Sequence, residues 1–324
     1  MNLAGHEEPW RQWRAALAGP RLHHGWILAG QRGTGKAAFA LQAARELVAE
    51  RGALQPRGAH PDIIVLAPLP ATPDDEKRRE EGKPYQVKRN ITVDQVRAMQ
   101  RRLATRPTLG NRRAILIDPA DDLEKGAANA LLKSLEEPPA GTFFLLIAHR
   151  PGRLLPTIRS RCRLLHFPRV EPAAIDAFLQ RETPRADPAM RAAAIAAAGG
   201  SPGAALEFVE LDLGEIHRLM REIADAGDRD FHLRGKLADA VGARPDRKRQ
   251  LAAIDLARAV AASRMANTPR RAIPALSDTH AELVRLAAQA PTYNFDPGLL
   301  VMEIGTLLAS LAAERAEAPP WQRP

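Results

Sequence analysis

Cysteine is nearly missing from this chain: Cys162 is the single one in 324 residues, which excludes an internal disulfide and any multi-cysteine zinc site. Nine histidines do not repair the loss, because His23 and His24 are adjacent and the others are scattered without ligand spacing, so no metal is expected. Aromatic residues make up only 4% of the chain, leaving the cores to be built mainly by aliphatic side chains. No purely apolar run approaches the roughly 20 residues needed to cross a bilayer. The opening stretch MNLAGHEEPW has neither the basic nor the apolar region of a secretory signal. A cytoplasmic protein without membrane contact is the expectation. No internal repeat at solenoid period is visible.

What is present is enough for two or three domains: 324 residues, 45% hydrophobic, with a formal net charge of +9. A basic balance suits a polyanionic partner such as DNA, since neutralising phosphates releases counterions. Yet 39 of the 47 basic residues are arginine, spread along the whole chain, so any single arginine carries little information. The group Arg101, Arg102, Arg106, Arg112 and Arg113 reads as a solvated basic face, with a contribution to a DNA-lining channel as its alternative.

From residue 26 to 167, apolar runs alternate with stretches of helical period: WILAG, DIIVLA, RAILID, FFLLIA and RLLHF. That alternation predicts a doubly wound parallel sheet, with a first helix from about Gly35 to Glu50 and a last from Leu154 to Arg159. Between the second and third runs, APLPATPDDEKRREEGKPYQVKRN mixes proline with charges of both signs and predicts an exposed loop or short hairpin. After FPRVEP the strand signals stop. Short helices lead to a Gly-Gly-Ser-Pro-Gly break, and from Leu213 onward the pattern is helical throughout. Three domains are expected: an α/β P-loop domain over 1–168, a small helical domain over 169–210 and an all-α domain over 211–324, whose apolar stripes pack first on one another and second on a partner subunit. The tail EAPPWQRP is expected to fray.

Chemistry concentrates in GQRGTGKAAF, residues 30–39. Gly30, Gly35 and Lys36 satisfy G-x-x-x-x-G-K directly after a predicted strand and at the start of a helix, the context in which backbone N–H groups face a phosphate. Together with Gly33, and with Asp118 at the end of the strand RAILID, they form the candidate nucleotide site. Two groups needed for turnover are missing. The residue after Lys36 should place a hydroxyl on Mg²⁺, and it is Ala37; the residue after Asp118 should polarise the attacking water, and it is Pro119. Asp121 and Asp122 are expected to cap or begin the next helix, LEKGAANALLKSLEE. ATP hydrolysis is therefore not expected. Backbone amides and Lys36 leave room for residual ATP or ADP binding, with no cofactor required.

Taken together, GQRGTGKAAF, the stretch LIDPADDLEKGAANALLKSLEEPPAGTFFLLIAHRPGRLLPTIRSRCRLLHF and GGSPGAAL closely resemble bacterial clamp-loader subunits of the AAA+ class, over about residues 20 to 210. The resemblance implies a P-loop domain of AAA+ type, a helical lid and a C-terminal collar in a five-membered ring. Within that ring, gamma/tau and delta subunits would be neighbours, and a sliding clamp would be loaded on primer-template DNA as part of a DNA polymerase III holoenzyme. It also implies a branch in which the subunit's own site has decayed: Ala148 and His149 replace a threonine-rich sensor, and Gly203 stands where active members place an arginine on the nucleotide. Many relatives carry a four-cysteine zinc module before the second strand, but here GALQPRGAHPDI has no cysteine. The tripeptide Ser160, Arg161 and Cys162 is intact. By resemblance Arg161 is an arginine finger reaching the ATP site of a gamma/tau neighbour, where a planar, permanently charged guanidinium stabilises charge on the transferring phosphoryl group. An arbitrary arginine in so arginine-rich a chain would merely pair with a surface carboxylate. Cys162 is expected to pack as a small apolar residue without a redox role. Two other readings remain open, an active ATPase of gamma/tau type and a basic DNA-binding protein.

Overall fold

The computed structural model describes residues 5–49, 56, 58–265, 268–290 and 295–316. The expected fraying of 317–324, and part of the cysteine-free stretch 52–63, lie outside them. The chain divides into two compact units, 1–171 and 172–324.

The first unit is built on five parallel strands, β1 (Gly25–Ala29), β2 (Ile63–Leu66), β3 (Arg113–Ile117), β4 (Thr142–Ala148) and β5 (Arg163–His166), in the order β2-β3-β4-β1-β5. All five strand signals of the sequence become strands. Because side chains alternate across a strand, each strand serves two cores. Ile27, Ile115, Ile117, Phe144 and Leu146 face one side, under α4 (Val93–Leu103), α5 (Lys125–Glu136) and α6 (Pro156–Arg159). On the other side Trp26, Leu28, Leu116, Leu145 and Ile147 meet α1 (Glu7–Ala18) and α2 (Lys36–Val48). Few aromatics are available, and most of the large ones are spent here: Trp13 packs edge-on to Trp26, Trp10 on Phe39, and Phe39 on Phe167. In register, Ala29 at the end of β1 lies between Ala148 of β4 and His166 of β5. The loops that follow the three central strands therefore share one edge of the sheet, the usual binding edge of an open parallel sheet.

The charged excursion after β2 departs from the expectation. It contains an eight-residue helix, α3 (Pro73–Glu80), as well as an antiparallel bridge between Pro70 and Val87 that closes it like a hairpin. The start signal is local: the Thr72 hydroxyl accepts from the Asp75 N–H, Pro73 takes the first helical position, and Asp74 to Glu76 fill the first turn. Mixed charge hid it. Asp75 then accepts from the Gln86 N–H at 2.9 Å, fastening the return strand. Helix α4 begins with a capping box in which Thr92 and Gln95 satisfy each other's backbone N–H.

The second unit consists, among its described residues, of helices: α7 (Pro172–Glu182), α8 (Pro188–Ala198), α9 (Pro202–Glu210), α10 (Gly214–Ala226), α11 (His232–Val241), α12 (Arg247–Ser263), α13 (Ile273–Gln289) and α14 (Pro297–Ala316). Sequence sets their ends. Asp187, Ser201 and Asp246 cap α8, α9 and α12, and Gly199 ends α8 in the left-handed region at φ 57°. Buried Arg234 is satisfied by Asp228 at 2.9 Å and by the Thr306 hydroxyl of α14 at 2.9 Å. Among the described residues no helix is long and apolar enough to cross a membrane.

Gly141, which turns the chain into β4, shows how tightly the sheet is entered. Its φ is +74°, and an added Cβ would lie 2.0 Å from the Asn111 carbonyl oxygen. Combining left-handed strain with a backbone clash, Gly141→Ala should lower unfolding stability by about 2–4 kcal/mol in urea titration.

Candidate functional site

The candidate nucleotide loop runs from β1 into α2, and its glycines have separate geometric reasons. A Cβ on Gly30 would fall 2.4 Å from the Phe167 carbonyl oxygen at the end of β5. Gly33 and Gly35 have φ of 78° and 87°, values that only glycine adopts readily. The loop has the phosphate-binding shape, but its lysine does not point outward. Lys36 is 2% exposed, and its ammonium donates to the carbonyls of Gly30 at 2.8 Å and Gln31 at 2.6 Å, with the Thr34 hydroxyl at 3.4 Å. An ammonium has three hydrogens; the loop's own acceptors match all of them.

A second plug comes from the N-terminal segment. His6, buried just ahead of α1, places Nε2 2.5 Å from the Thr34 carbonyl oxygen and sets its ring edge-on to Phe167. Thr34 is wholly buried, and its hydroxyl donates to the Gln31 carbonyl at 2.9 Å. Nothing in the sequence singled out His6, because it precedes the motif by many residues and meets it only through the packing of α1.

Facing the loop are the ends of β3 and β4. Burial pushes the Lys36 ammonium down to about 8, while Asp118 and Asp121 hold it up. Burial likewise raises the Asp118 carboxyl, with Lys36 opposing. His149 is pushed down to about 4, first by burial and next by the Lys36 charge, so at neutral pH its imidazole is uncharged. Its Nδ1 is buried without a hydrogen-bond partner among the described residues. Ala37 is exposed at the start of α2 and carries no oxygen; Pro119 follows Asp118 into a 3₁₀ turn, Ala120–Asp122.

That turn corrects the expectation for Asp121 and Asp122, which do not cap α5: the helix begins at Lys125 behind Glu124, without a side-chain cap. The Asp121 carboxylate instead accepts from the backbone N–H groups of His149, at 2.9 and 3.1 Å, and Arg150, at 3.0 Å. It ties the loop after β4 to the end of β3. A carboxylate bound to two N–H groups across the sheet leaves no sequence signal that distinguishes it from a cap.

Gly30, Gly33, Gly35, Lys36 and Asp118 are thus assembled as one site. Ser160, Arg161 and Cys162 form a second group, in the turn between α6 and β5. The Cys162 thiol is pushed up to about 12 by burial and packs against the core. Arg161 donates to the Thr157 carbonyl at 3.0 Å and the Ser160 hydroxyl at 3.3 Å, and pairs with Glu136 at 2.7 Å. Gly203 sits in the first turn of α9, in the second unit. Among the described residues no group of three or more His, Cys, Asp or Glu could hold a metal ion.

The basic group also needs correction. Arg113 is 4% exposed and donates to the carbonyls of Arg102, Thr105 and Arg106, with Asp62 at 3.9 Å. It braces the loop after α4 from inside and is no part of a basic face. Arg101, Arg102, Arg106 and Arg112 are exposed.

Lys36 gives the site a pH signature. The unfolded chain holds this proton up to about 10.5 and the folded chain releases it near 8, so between those values the unfolded state binds more protons and stability rises with pH. Relative to Lys36→Met, the wild type should gain up to about 3 kcal/mol between pH 7 and pH 10.5; urea titrations of both proteins across that range would measure it.

The model of the family described as DNA polymerase III, delta subunit, matches residues 5–171. The chain is 38% identical to DNA polymerase III subunit delta' of Pseudomonas aeruginosa, over 60% of this chain and 58% of that one. It is 36% identical to the subunit delta' of Escherichia coli, over 61% of this chain and 58% of the relative; the matched stretch thus spans under two thirds of either relative. Among solved structures, a DNA polymerase III gamma subunit-related protein from Thermotoga maritima superposes with a TM-score of 0.50 at 17% identity, covering 94% of this chain and all of that one. That likeness bears on the fold alone.

Proposed function

The chain belongs to the DNA polymerase III delta-subunit family, and from that premise we propose that it is a delta-prime subunit of a clamp loader, working in the cytoplasm as a ring member that does not hydrolyse ATP. The observation that carries the reading is Lys36 turned onto the carbonyls of its own loop at 2.8 and 2.6 Å. Hydrolysis requires an ammonium on the β- and γ-phosphates, a hydroxyl on Mg²⁺ and a group that orients water. Here the first is engaged internally, Ala37 cannot supply the second, and Pro119 cannot supply the third. The uncharged His149 next to Lys36 adds no acid or base suited to pH 7, since its proton is lost well below that pH.

The subunit's contribution to turnover is Arg161, offered in trans to the ATP site of a gamma/tau neighbour. A finger of this kind is worth about 10³ to 10⁵ in rate at the site it serves. The helical remainder divides in this reading into a lid, 169–210, and a collar, 211–324, through which the chain holds gamma/tau and delta subunits in a pentamer. The clamp and primer-template DNA are engaged through the assembled complex. No zinc is required, and any ATP or ADP binding at the P-loop is without catalytic consequence.

Two measurements test this. Purified chain incubated with labelled ATP and Mg²⁺ should release phosphate no faster than its Lys36→Ala variant; metal-dependent turnover abolished by that substitution would overturn the reading. In a complex reconstituted with gamma/tau and delta, Arg161→Ala should lower DNA-stimulated ATPase and clamp loading. The loss of turnover should be partial, because the other sites keep their own fingers. Undiminished rates would retire Arg161 from this role.

A further inference from the structure

The pairing of Arg161 with Glu136 reaches beyond the assignment of a finger. Glu136 is the last residue of α5, and its carboxylate lies 2.7 Å from Nη2 of Arg161. The backbones that carry the two side chains are each held in place. The end of α5 is fastened by His24, whose Nε2 contacts the Leu135 carbonyl oxygen at 2.9 Å, and Leu135 itself is buried. The turn that carries Arg161 is fastened by the next residue of the chain: Gly25 lies so close that an added Cβ would meet the Cys162 sulfur at 2.9 Å and the Arg161 carbonyl oxygen at 3.1 Å. Two adjacent residues at the start of β1 therefore lie against the two backbone segments from which the carboxylate and the guanidinium project. The pair remains open to solvent, with the Arg161 and Glu136 side chains 35% and 48% exposed.

Given the reading of Arg161 as a finger, we propose that Glu136 is its resting partner, a positioning residue that holds the guanidinium when no triphosphate faces it and competes with the neighbour's γ-phosphate for the same hydrogens. The exchange is chemically even. A carboxylate and a phosphate oxygen both accept charge-assisted bonds from Nη, while Nη1 keeps the Thr157 carbonyl and Ser160 hydroxyl through the change. An exposed pair of this kind is worth at most about 1 kcal/mol, so the hold is weak, equal to a bias of up to about fivefold against engagement. A bias of that size lets Arg161 leave for a triphosphate and return after hydrolysis.

The test uses the reconstituted complex, with ATPase kcat/KM measured without DNA at sub-saturating ATP for Glu136→Gln, Arg161→Ala and the double variant. Glu136→Gln keeps size and removes charge at a half-exposed site. It should raise kcat/KM at the site served by Arg161 by up to about fivefold, and the double variant should match Arg161→Ala alone, because without the guanidinium there is nothing to release. A merely structural role for Glu136 would leave its effect intact in the Arg161→Ala background. An unchanged or lowered kcat/KM for Glu136→Gln, beside a clear loss for Arg161→Ala, would overturn the competition and leave the finger standing. If Arg161→Ala itself has no effect, the finger reading fails and this proposal with it.

Discussion

The ammonium of Lys36 is the point on which the nucleotide edge of the sheet depends. It is buried, charged and satisfied by the two carbonyls and one hydroxyl of the loop that encloses it. A buried cation without partners costs several kcal/mol, so the loop must keep its carbonyls turned inward for the residue to be tolerated at all. Around it, Gly33 and Gly35 turn the loop through the left-handed region, His6 contacts the Thr34 carbonyl, and the Lys36 charge adds to burial in keeping His149 uncharged. In the proposed reading, the same interaction that stabilises the loop competes for the donor a triphosphate would need.

In the proposed reading, this P-loop and the Ser160-Arg161-Cys162 turn are complementary. Lys36 is drawn into the protein at 2% exposure, whereas Arg161 is half-buried, bonded to the Thr157 carbonyl and the Ser160 hydroxyl and paired with the Glu136 carboxylate. Burial decides which charge is available. Lys36 would have to give up three internal bonds and a closed loop to meet a phosphate; Arg161 would give up one exposed ion pair.

Much of this was legible in the sequence, and what was not has a common cause. The strands, the helices that flank them and the loop glycines follow from local pattern: apolar runs of strand length, helical periodicity, and G-x-x-x-x-G-K between a strand and a helix. Ala37 and Pro119 were readable as departures because each stands at a fixed position relative to a motif. Contacts across the sheet were not. Asp121 looks like a helix cap but binds the N–H groups of His149 and Arg150, and Arg113 looks like part of a basic surface but is buried against three carbonyls. His6 and Glu136 meet their partners only because α1 and α5 pack where they do. Helix α3 is the reverse case: the local signals Thr72 and Pro73 were present, and surrounding charge of both signs obscured them.

The shape of the loop and its chemistry have separate physical causes. Gly30 is required by the Phe167 carbonyl oxygen, which an added Cβ would approach to 2.4 Å, and that constraint belongs to the packing of β1 beside β5. Thr34 is wholly buried, and its hydroxyl donates to the Gln31 carbonyl and accepts from the Lys36 ammonium. None of these contacts involves a nucleotide. In the proposed reading, a chain without the hydroxyl and the base can therefore still keep Gly30 and Thr34 for packing alone. In such a loop the glycines and the lysine report on the packing of the first β–α turn, and in the proposed reading hydrolysis turns on the positions after Lys36 and after Asp118, which here are an alanine and a proline.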